Sequence, residues 1–334
     1  MSNLRRVSKL VLIFAFVAMP GGAWAGTDPL SVAVQAVFQK SSRAVVKVEA
    51  EDDNGQLSGT GFFIDPNGTV YTNYSVGGES RDIVISDGSA RYPATRVAAD
   101  PRSGLAILKI DAQKTPFLAL GKAGSLTIAS MVVAIGYPLD LPLTPNAGCV
   151  GGFGISDGDR FFAVSHIRAN VPVQRGEGGA PLLNMDGEVV GILESSLDGG
   201  AGCFALPIEA AEKVQSDVMR FGEVRPGWIG IKYDKADEPG SPIVVQGFIA
   251  GSPAEKSGIQ PGDAITQIAD RKIDCIDDIL NAAFYLTAGD DVTICVTRNG
   301  QPQQFKVTAG PNPAAPAEES VPAPVFNLSV RLGK

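Results

Sequence analysis

The stretch SGTGFFIDPNGTVYTN, residues 58–73, contains two strand-like runs on either side of the dipeptide Asn67-Gly68. Asn-Gly favours the tight turn of a β-hairpin, because both residues tolerate a positive φ. Asp87-Gly88 and Asp186-Gly187 repeat the arrangement, and short apolar runs alternate with turn signals from residue 44 to about residue 207. Many short strands with few helical periods predict antiparallel β-barrels or a β-sandwich.

The segments on either side of this strand-rich region have different compositions. Residues 1–25 combine Arg5, Arg6 and Lys9 with a short apolar run and the sequence Ala-Trp-Ala, which is the pattern of a secretory signal peptide. We therefore expect export to the periplasm. A helix is predicted over 207–222, where Pro begins it and Gly follows it. A second unit of strands and two helical pieces follows at 226–309, and residues 310–334 form a Pro/Ala-rich segment predicted to be a flexible tail, in which VFNLSV could add a short strand.

Charge and cysteine content narrow the classes of partner and site. The formal net charge is -8, and removal of the predicted signal peptide takes away three positive charges and leaves about -11. Such acidity argues against nucleic acid or anionic lipid as a main partner. The chain has one histidine and no Cys-x-x-Cys pair, which argues against a zinc site. In an oxidising compartment we predict two disulfides, with free buried thiols as the alternative: Cys149 with Cys203, and Cys275 with Cys295.

Four blocks of the first unit resemble the trypsin-like domain of the HtrA/Deg periplasmic serine proteases. They are SGTGFFIDPNGTVYTN (58–73), ADPRSGLAILKIDA (99–112), VVAIGYPL (132–139) and GAPLLNMDGEVVGI (179–192). The segment GSPAEKSGIQPGDAITQIADRKI (251–273) resembles the PDZ domain that follows it in that family. The resemblance implies a mostly β fold without a cofactor. Its expected parts are a trypsin-like double six-stranded β-barrel domain at 26–222 and an α+β PDZ domain at 226–309.

The family's three catalytic positions carry other residues in this chain. The resemblance places Ser75 where the family has its histidine, Gly104 where it has the orienting aspartate, and Gly178 where it has the serine nucleophile. Because a hydroxyl needs a neighbouring base to act as a nucleophile, these replacements predict a pseudoprotease that is not an enzyme. A peptidase with a displaced or non-standard nucleophile is the alternative. His166 is expected to be an ordinary structural histidine, and Glu177 with Arg175 are expected to be solvated loop charges.

The PDZ-like unit is the feature we expect to bind a ligand. PDZ domains add an extended peptide as a strand to a sheet edge, and a glycine-containing loop receives the terminal carboxylate. The resemblance assigns this loop to PGWIGIKY (226–233) and the opposite wall to DDILNAAFYL (277–286). The predicted peptide-binding residues are Gly227, Trp228, Ile229, Gly230, Ile231, Ile279 and Ala283.

These observations lead to three hypotheses about function. The first is an inactive HtrA-like homologue that binds peptide C-termini or unfolded segments, as an adaptor, a chaperone-like factor or a regulator of envelope proteolysis. Its partners would include an active HtrA-type protease, and family analogy raises a homo-trimer formed through the segment before the first barrel. The second is an active serine-type endopeptidase with a non-standard catalytic site, and the third is a structural scaffold in an envelope assembly.

Overall fold

The first barrel is built from hairpins of the kind that the turn dipeptides predict. The computed structural model describes residues 28–157, 160–233, 241–313 and 330–332. In the first hairpin, Gly68 has a φ of 86°, and the Asp65 side chain accepts hydrogen bonds from the N–H groups of Asn67 and Thr69. The sheet has the order β1-β4-β5-β6-β3-β2, and β1 also pairs with β2, which closes it. The strands are β1 (Val45–Asp52), β2 (Gly55–Phe63), β3 (Thr69–Asn73), β4 (Arg81–Ser86), β5 (Arg91–Asp100) and β6 (Leu105–Ile110).

A second closed barrel has the strand order β10-β11-β12-β9-β8-β7. Phe62 and Tyr71 of the first barrel and Val133 and Ile192 of the second belong to one buried cluster, so the two barrels share a core. This confirms the predicted trypsin-like double barrel. The strands are β7 (Met131–Gly136), β8 (Thr144–Asp157), β9 (Arg160–Ala169), β10 (Pro181–Leu183), β11 (Val189–Leu197) and β12 (Gly202–Pro207).

Three helices lie outside the barrel strands of this unit. The helix α1 (Pro29–Ser41) precedes the first barrel, and the short helix α2 (Tyr74–Gly77) follows β3. The helix α3 (Ile208–Phe221) follows the second barrel and ends at Gly222, whose φ of 80° forms a left-handed cap. Its position agrees with the helix predicted over 207–222.

The second unit has the strand and helix content expected of a PDZ domain. Its main sheet runs β14-β15-β16-β18-β19, so β14 is the end strand of the described sheet. The two predicted helical pieces are a 3-10 turn at Pro253–Lys256 and the helix α4. The elements are β13 (Gly227–Trp228), β14 (Ile231–Tyr233), β15 (Ile243–Phe248), β16 (Ala264–Ile268), β17 (Arg271–Lys272), α4 (Ile276–Phe284), β18 (Asp291–Arg298), β19 (Gln301–Thr308) and β20 (Gly310–Pro311).

The PDZ unit packs against the second barrel and α3. The side-chain oxygen of Asn281 on α4 accepts a hydrogen bond of 3.0 Å from the N–H of Ser165 on β9. The buried carboxylate of Asp217 on α3 accepts a hydrogen bond of 2.8 Å from the hydroxyl of Thr287. Arg220 donates two hydrogen bonds to Asp290, of 2.9 and 2.6 Å. These contacts fix the position of α4 relative to the barrels.

Beyond β20, the structure describes one further short strand. The strand β21 (Val330–Leu332) pairs antiparallel with Gln56–Ser58 at the edge of β2. It overlaps the end of the VFNLSV segment, in which a short strand was anticipated. The predicted signal peptide and residues 314–329 lie outside the described residues. Among the helices that the structure describes, none is long and apolar enough to span a membrane.

The two predicted disulfides are not formed, and all four cysteines are free in the structure. Cys149 lies on β8 and Cys203 on β12, and β9 lies between these two strands, so the thiols are not on neighbouring strands. Cys275 is exposed at the start of α4, whereas Cys295 lies in the interior of β18. Of the free buried thiols expected as the alternative, Cys203 is buried, Cys149 and Cys295 are partly buried, and Cys275 is exposed; burial raises the pKa of Cys203 to about 12.

Candidate functional site

A glycine turn at residues 176–180 lies against the first barrel. The carbonyl oxygen of Gly178 accepts a hydrogen bond of 2.9 Å from the N–H of Thr60, and the Thr60 hydroxyl donates to the carbonyl of Gly176 at 2.8 Å. Gly179 has a φ of 85°, and a β-carbon there would overlap the carbonyl oxygen of Thr60 and lie 2.6 Å from the backbone nitrogen of Asn73. The turn is therefore held by close backbone packing that leaves no room for a side chain at position 179.

Glu177 supports this turn from the inside. Its side chain is fully buried and accepts hydrogen bonds from the N–H of Gln174, at 2.6 Å, and from the Asn146 amide, at 2.9 Å. Burial raises the pKa of the Glu177 carboxyl, against the opposing effect of these two hydrogen bonds. The prediction that Glu177 is a solvated loop charge is therefore wrong, whereas Arg175 is exposed as expected. The two hydrogen bonds that Glu177 accepts join the turn to Gln174 and Asn146.

The residues at positions 75 and 104 lie on adjoining segments next to the turn. The N–H of Tyr74 donates to the Gly104 carbonyl at 2.6 Å, and the Asn73 side chain caps α2 by accepting from the N–H of Ser75 at 2.7 Å. The Ser75 hydroxyl is buried and has no hydrogen-bond partner among the described residues. A β-carbon on Gly59 would lie 2.7 Å from Val76 of α2 and 3.1 Å from the Gly178 carbonyl oxygen, so α2 and the turn meet over Gly59.

A carboxylate fills the space beside Gly104. A β-carbon at Gly104 would lie 2.8 Å from the carboxyl carbon of Glu194. An oxygen of Glu194 contacts His166 Nε2, and His166 Nδ1 lies 2.8 Å from the carbonyl oxygen of Val164. Both ring nitrogens of His166 are therefore engaged, one by the Val164 carbonyl and the other by the Glu194 carboxylate. The pair lies at the junction of the two barrels.

Sequence reasoning treated His166 as an ordinary structural histidine and missed Glu194. The His166 ring is buried and stacks on Phe162 with ring centres 4.0 Å apart, which agrees with a packed side chain. Glu194 directly follows the apolar run VVGIL in β11, and an acidic residue within a largely buried strand is the signal that could have identified it. Among the described residues, no group of three His, Cys, Asp or Glu side chains is arranged to hold a metal ion.

The PDZ unit contains a groove between β14 and α4 with a cavity of about 320 Å³. Gly230 has a φ of 77°, and its carbonyl accepts a hydrogen bond of 2.9 Å from Ile249. Within the described part of the chain, the N–H groups of Ile229 and Gly230 donate to no acceptor. All seven of the predicted peptide-binding residues line this cavity: Gly227, Trp228, Ile229, Gly230, Ile231, Ile279 and Ala283.

Comparisons with known proteins agree with this architecture. Residues 59–192 match the family model of the trypsin-like peptidase domain, and residues 227–309 match that of the PDZ domain. A relative from Hahella chejuensis, named a probable periplasmic serine endoprotease DegP-like, is 31% identical over 299 residues, which are 83% of this chain and 63% of the relative. A relative of the same name from Chlamydia pneumoniae is 29% identical over 287 residues, 80% of this chain and 57% of the relative. The chain thus spans about 60% of the length of these relatives.

Solved structures show the same fold. The HtrA-type protease AlgW with a tripeptide has a TM-score of 0.69 and 24% identity, and the match covers 84% of this chain and 97% of that chain. A serine endoprotease from Yersinia pestis has a TM-score of 0.60 and 24% identity, with 84% and 98% covered. These likenesses support the order of a trypsin-like domain followed by a PDZ domain.

The comparisons also correct the prediction that the chain is not an enzyme. That prediction used only the residue types at positions 75, 104 and 178. The curated relatives are named serine endoproteases, and the similar structures are described as HtrA-type proteases or a serine endoprotease, which contradicts it. The matched domains and these relatives show that the chain belongs to the HtrA/DegP family of proteins with a trypsin-like domain and a PDZ domain.

Proposed function

We propose that this chain captures peptides or unfolded protein segments in the groove between β14 and α4, within the periplasm. The observation that carries the proposal is the mostly apolar cavity lined by Ile229 and Gly230, whose N–H groups have no acceptor in the part of the chain that the structure describes. An adaptor, a chaperone-like factor and a regulator of envelope proteolysis would all use this capture step. The proposal includes an active HtrA-type protease as a partner. It also includes a homo-trimer formed through α1, because the apolar side chains of Leu30 and Val32 are exposed on this helix.

The geometry of the groove suits an extended peptide. Because β14 ends the described sheet, its outer edge can accept a further strand, and main-chain hydrogen bonds then supply affinity. Ile279 and Ala283 on α4 provide an apolar wall for the side chains of the added strand. A terminal carboxylate would lie at the loop, where the two free N–H groups can donate to it.

A binding experiment on the full chain tests this proposal. A library of apolar C-terminal peptides is titrated against the wild type and Ala283→Phe by fluorescence anisotropy. The exposed Ala283 lies in the cavity wall, so Phe should fill the groove, and we expect affinity to fall at least tenfold while the fold is kept. Met219→Phe, at an exposed position on α3, is the matched control and should bind as the wild type does. Failure of every peptide to bind the wild type would overturn the proposal.

A second candidate function is serine-type endopeptidase activity through a non-standard site. The names of the relatives favour it, and so does the buried, unpartnered hydroxyl of Ser75. Peptide-bond attack by a hydroxyl needs a base to take its proton and a group that orients the base. In this candidate Ser75 is the nucleophile, Glu194, whose carboxylate lies beside Gly104, is the base, and His166, which contacts Glu194 through Nε2, orients that carboxylate.

Turnover of unfolded casein tests this second candidate. If the site is used, Ser75→Ala and His166→Gln should each lower kcat at least a hundredfold, since each removes a required role. Ser89→Ala, in the exposed β4–β5 turn, is the control and should leave turnover unchanged. Activity that survives both site variants, or no turnover by the wild type, would rule the arrangement out without affecting the peptide-binding proposal.

A further inference from the structure

The PDZ groove is not built from the PDZ unit alone. Two residues of its wall, Arg102 and Ala163, come from the barrels, and the others come from the second unit. Arg102 follows β5 of the first barrel, in the turn that contains Gly104. Among the residues that line the cavity in the described structure, Arg102 is the one with a charged side chain. A ligand in the groove therefore meets apolar walls and a single cation.

The Arg102 guanidinium is held in place but not fully engaged. Its Nε and Nη2 donate to the Asp100 carboxylate at 3.2 and 3.5 Å, longer than the roughly 2.7–2.9 Å of a tight ionic hydrogen bond. Its central carbon lies 5.4 Å from the ring centre of Phe284 on α4, so the cation lies over the helix that forms one wall of the groove. A guanidinium has five N–H donors, and Asp100 uses only part of this capacity.

Three independent contacts keep the PDZ unit where Arg102 reaches its groove. They are the hydrogen bonds from Ser165 to Asn281 and from Thr287 to Asp217, and the paired hydrogen bonds from Arg220 to Asp290. The barrel cation, the loop N–H groups and the apolar pocket therefore face one volume. This combination complements a ligand with an apolar body and a carboxylate, which can accept from the Arg102 N–H groups that Asp100 does not use.

We propose that Arg102 is a specificity-determining residue of the PDZ groove, which pairs with the terminal carboxylate of an apolar peptide bound between the two units. The inference rests on the proposed peptide capture and adds its ligand class. Recognition is then shared by two domains. The PDZ unit binds the apolar side chains of the peptide, and Arg102 of the first barrel pairs with its terminal carboxylate.

The test compares two forms of one peptide ending in Val-Phe, with a free carboxylate or with a C-terminal amide. Each is titrated against the wild-type full chain, Arg102→Gln and Arg102→Lys. We expect the wild type to prefer the carboxylate by about tenfold, Arg102→Gln to lose most of this preference, and Arg102→Lys to keep part of it. The preference of the wild type should also shrink as salt concentration rises.

Outcomes of the test separate this inference from the proposed function. If neither peptide binds the wild type, peptide capture itself fails. If both bind but the carboxylate preference is the same in wild type and Arg102→Gln, only the role of Arg102 is overturned. Because Arg102 packs on Phe284, thermal unfolding of both variants is measured first. If Arg102→Gln is unstable, the affinities of the wild type for the two peptides are compared at increasing salt concentration. An equal loss of affinity for the carboxylate and the amide peptide contradicts the inference.

Discussion

Two glycine-rich loops, one in each unit, have similar backbone features but different surroundings. The turn at 176–180 and the loop at 227–231 each contain a glycine with positive φ that has no room for a β-carbon. In the turn, the Gly178 carbonyl accepts from Thr60, and the N–H groups of Gly176 and Gly178 donate to no acceptor among the described residues. In the PDZ loop, the N–H groups of Ile229 and Gly230 are likewise unpaired among the described residues, and both residues line a cavity. Backbone shape and free donors are therefore common to both loops, and the proposed peptide site rests on the apolar cavity that the PDZ loop lines.

The largest effect should come from crowding the turn. Gly179→Ala places a β-carbon against the Thr60 carbonyl, a backbone atom that cannot move aside. We expect a loss of at least about 3 kcal/mol in the free energy of unfolding. Gly88→Ala is the control, because Gly88 has nearly the same φ and nothing within 4 Å of its β-carbon, and should cost about 1 kcal/mol. Equal losses in urea unfolding would show that the turn is not tightly packed.

A smaller effect should follow from removing the internal support of the turn. Glu177→Ala leaves the N–H of Gln174 and the amide of Asn146 without their acceptor, and we expect a loss of about 2 kcal/mol in the free energy of unfolding. The exposed neighbour Arg175→Ala should change it by less than about 0.5 kcal/mol. Thermal and urea unfolding of the three proteins measure the difference. A Glu177→Ala protein as stable as Arg175→Ala would contradict the internal role of the carboxylate.

The smallest predicted effect concerns pH and has opposite signs in the two units. Hydrogen bonds from Arg298 lower the pKa of Asp263 in the PDZ unit, whereas burial raises the pKa of Glu177 in the turn. Asp263 therefore contributes stability above its unfolded pKa near 4, and this is lost as pH falls through the lower folded pKa. The contribution of Glu177 is complete below its unfolded pKa and is lost as pH rises through the raised folded pKa.

Two substitutions measure how each carboxyl group changes the pH dependence of the free energy of unfolding. Asp263→Asn should destabilise by about 1.5 kcal/mol near neutral pH, and its difference from wild type should narrow as the solution is acidified below about pH 4. The stability advantage of wild type over Glu177→Gln should instead widen on acidification. Urea unfolding across the acidic range gives both differences. If acidification changes both stability differences in the same direction, the pKa direction given for Asp263 or for Glu177 is wrong.

Local sequence patterns predicted the hairpins because each depends on neighbouring residues, whereas the double barrel and the residues of the groove were assigned through the family resemblance. Asn67-Gly68 specifies its hairpin through the φ values of two residues, and the loop at 227–231 lines the cavity through its own backbone. Features that depend on distant segments were missed or wrong. Glu194 reaches the space beside Gly104 from another barrel, and Arg102 reaches a groove in another unit. The predicted pairing of Cys149 with Cys203 is wrong because β9 separates β8 from β12.

The carboxylate beside Gly104 links two positions that are far apart in sequence. A side chain at position 104 and the present side chain at position 194 would compete for one volume, since the β-carbon of the first would lie within 2.8 Å of the second. The positive φ of Gly104 adds a backbone cost to any other residue there. Any side chain at position 104 must therefore displace the end of the Glu194 side chain, which contacts His166, so a change at 104 alters the arrangement of the second barrel at the same time.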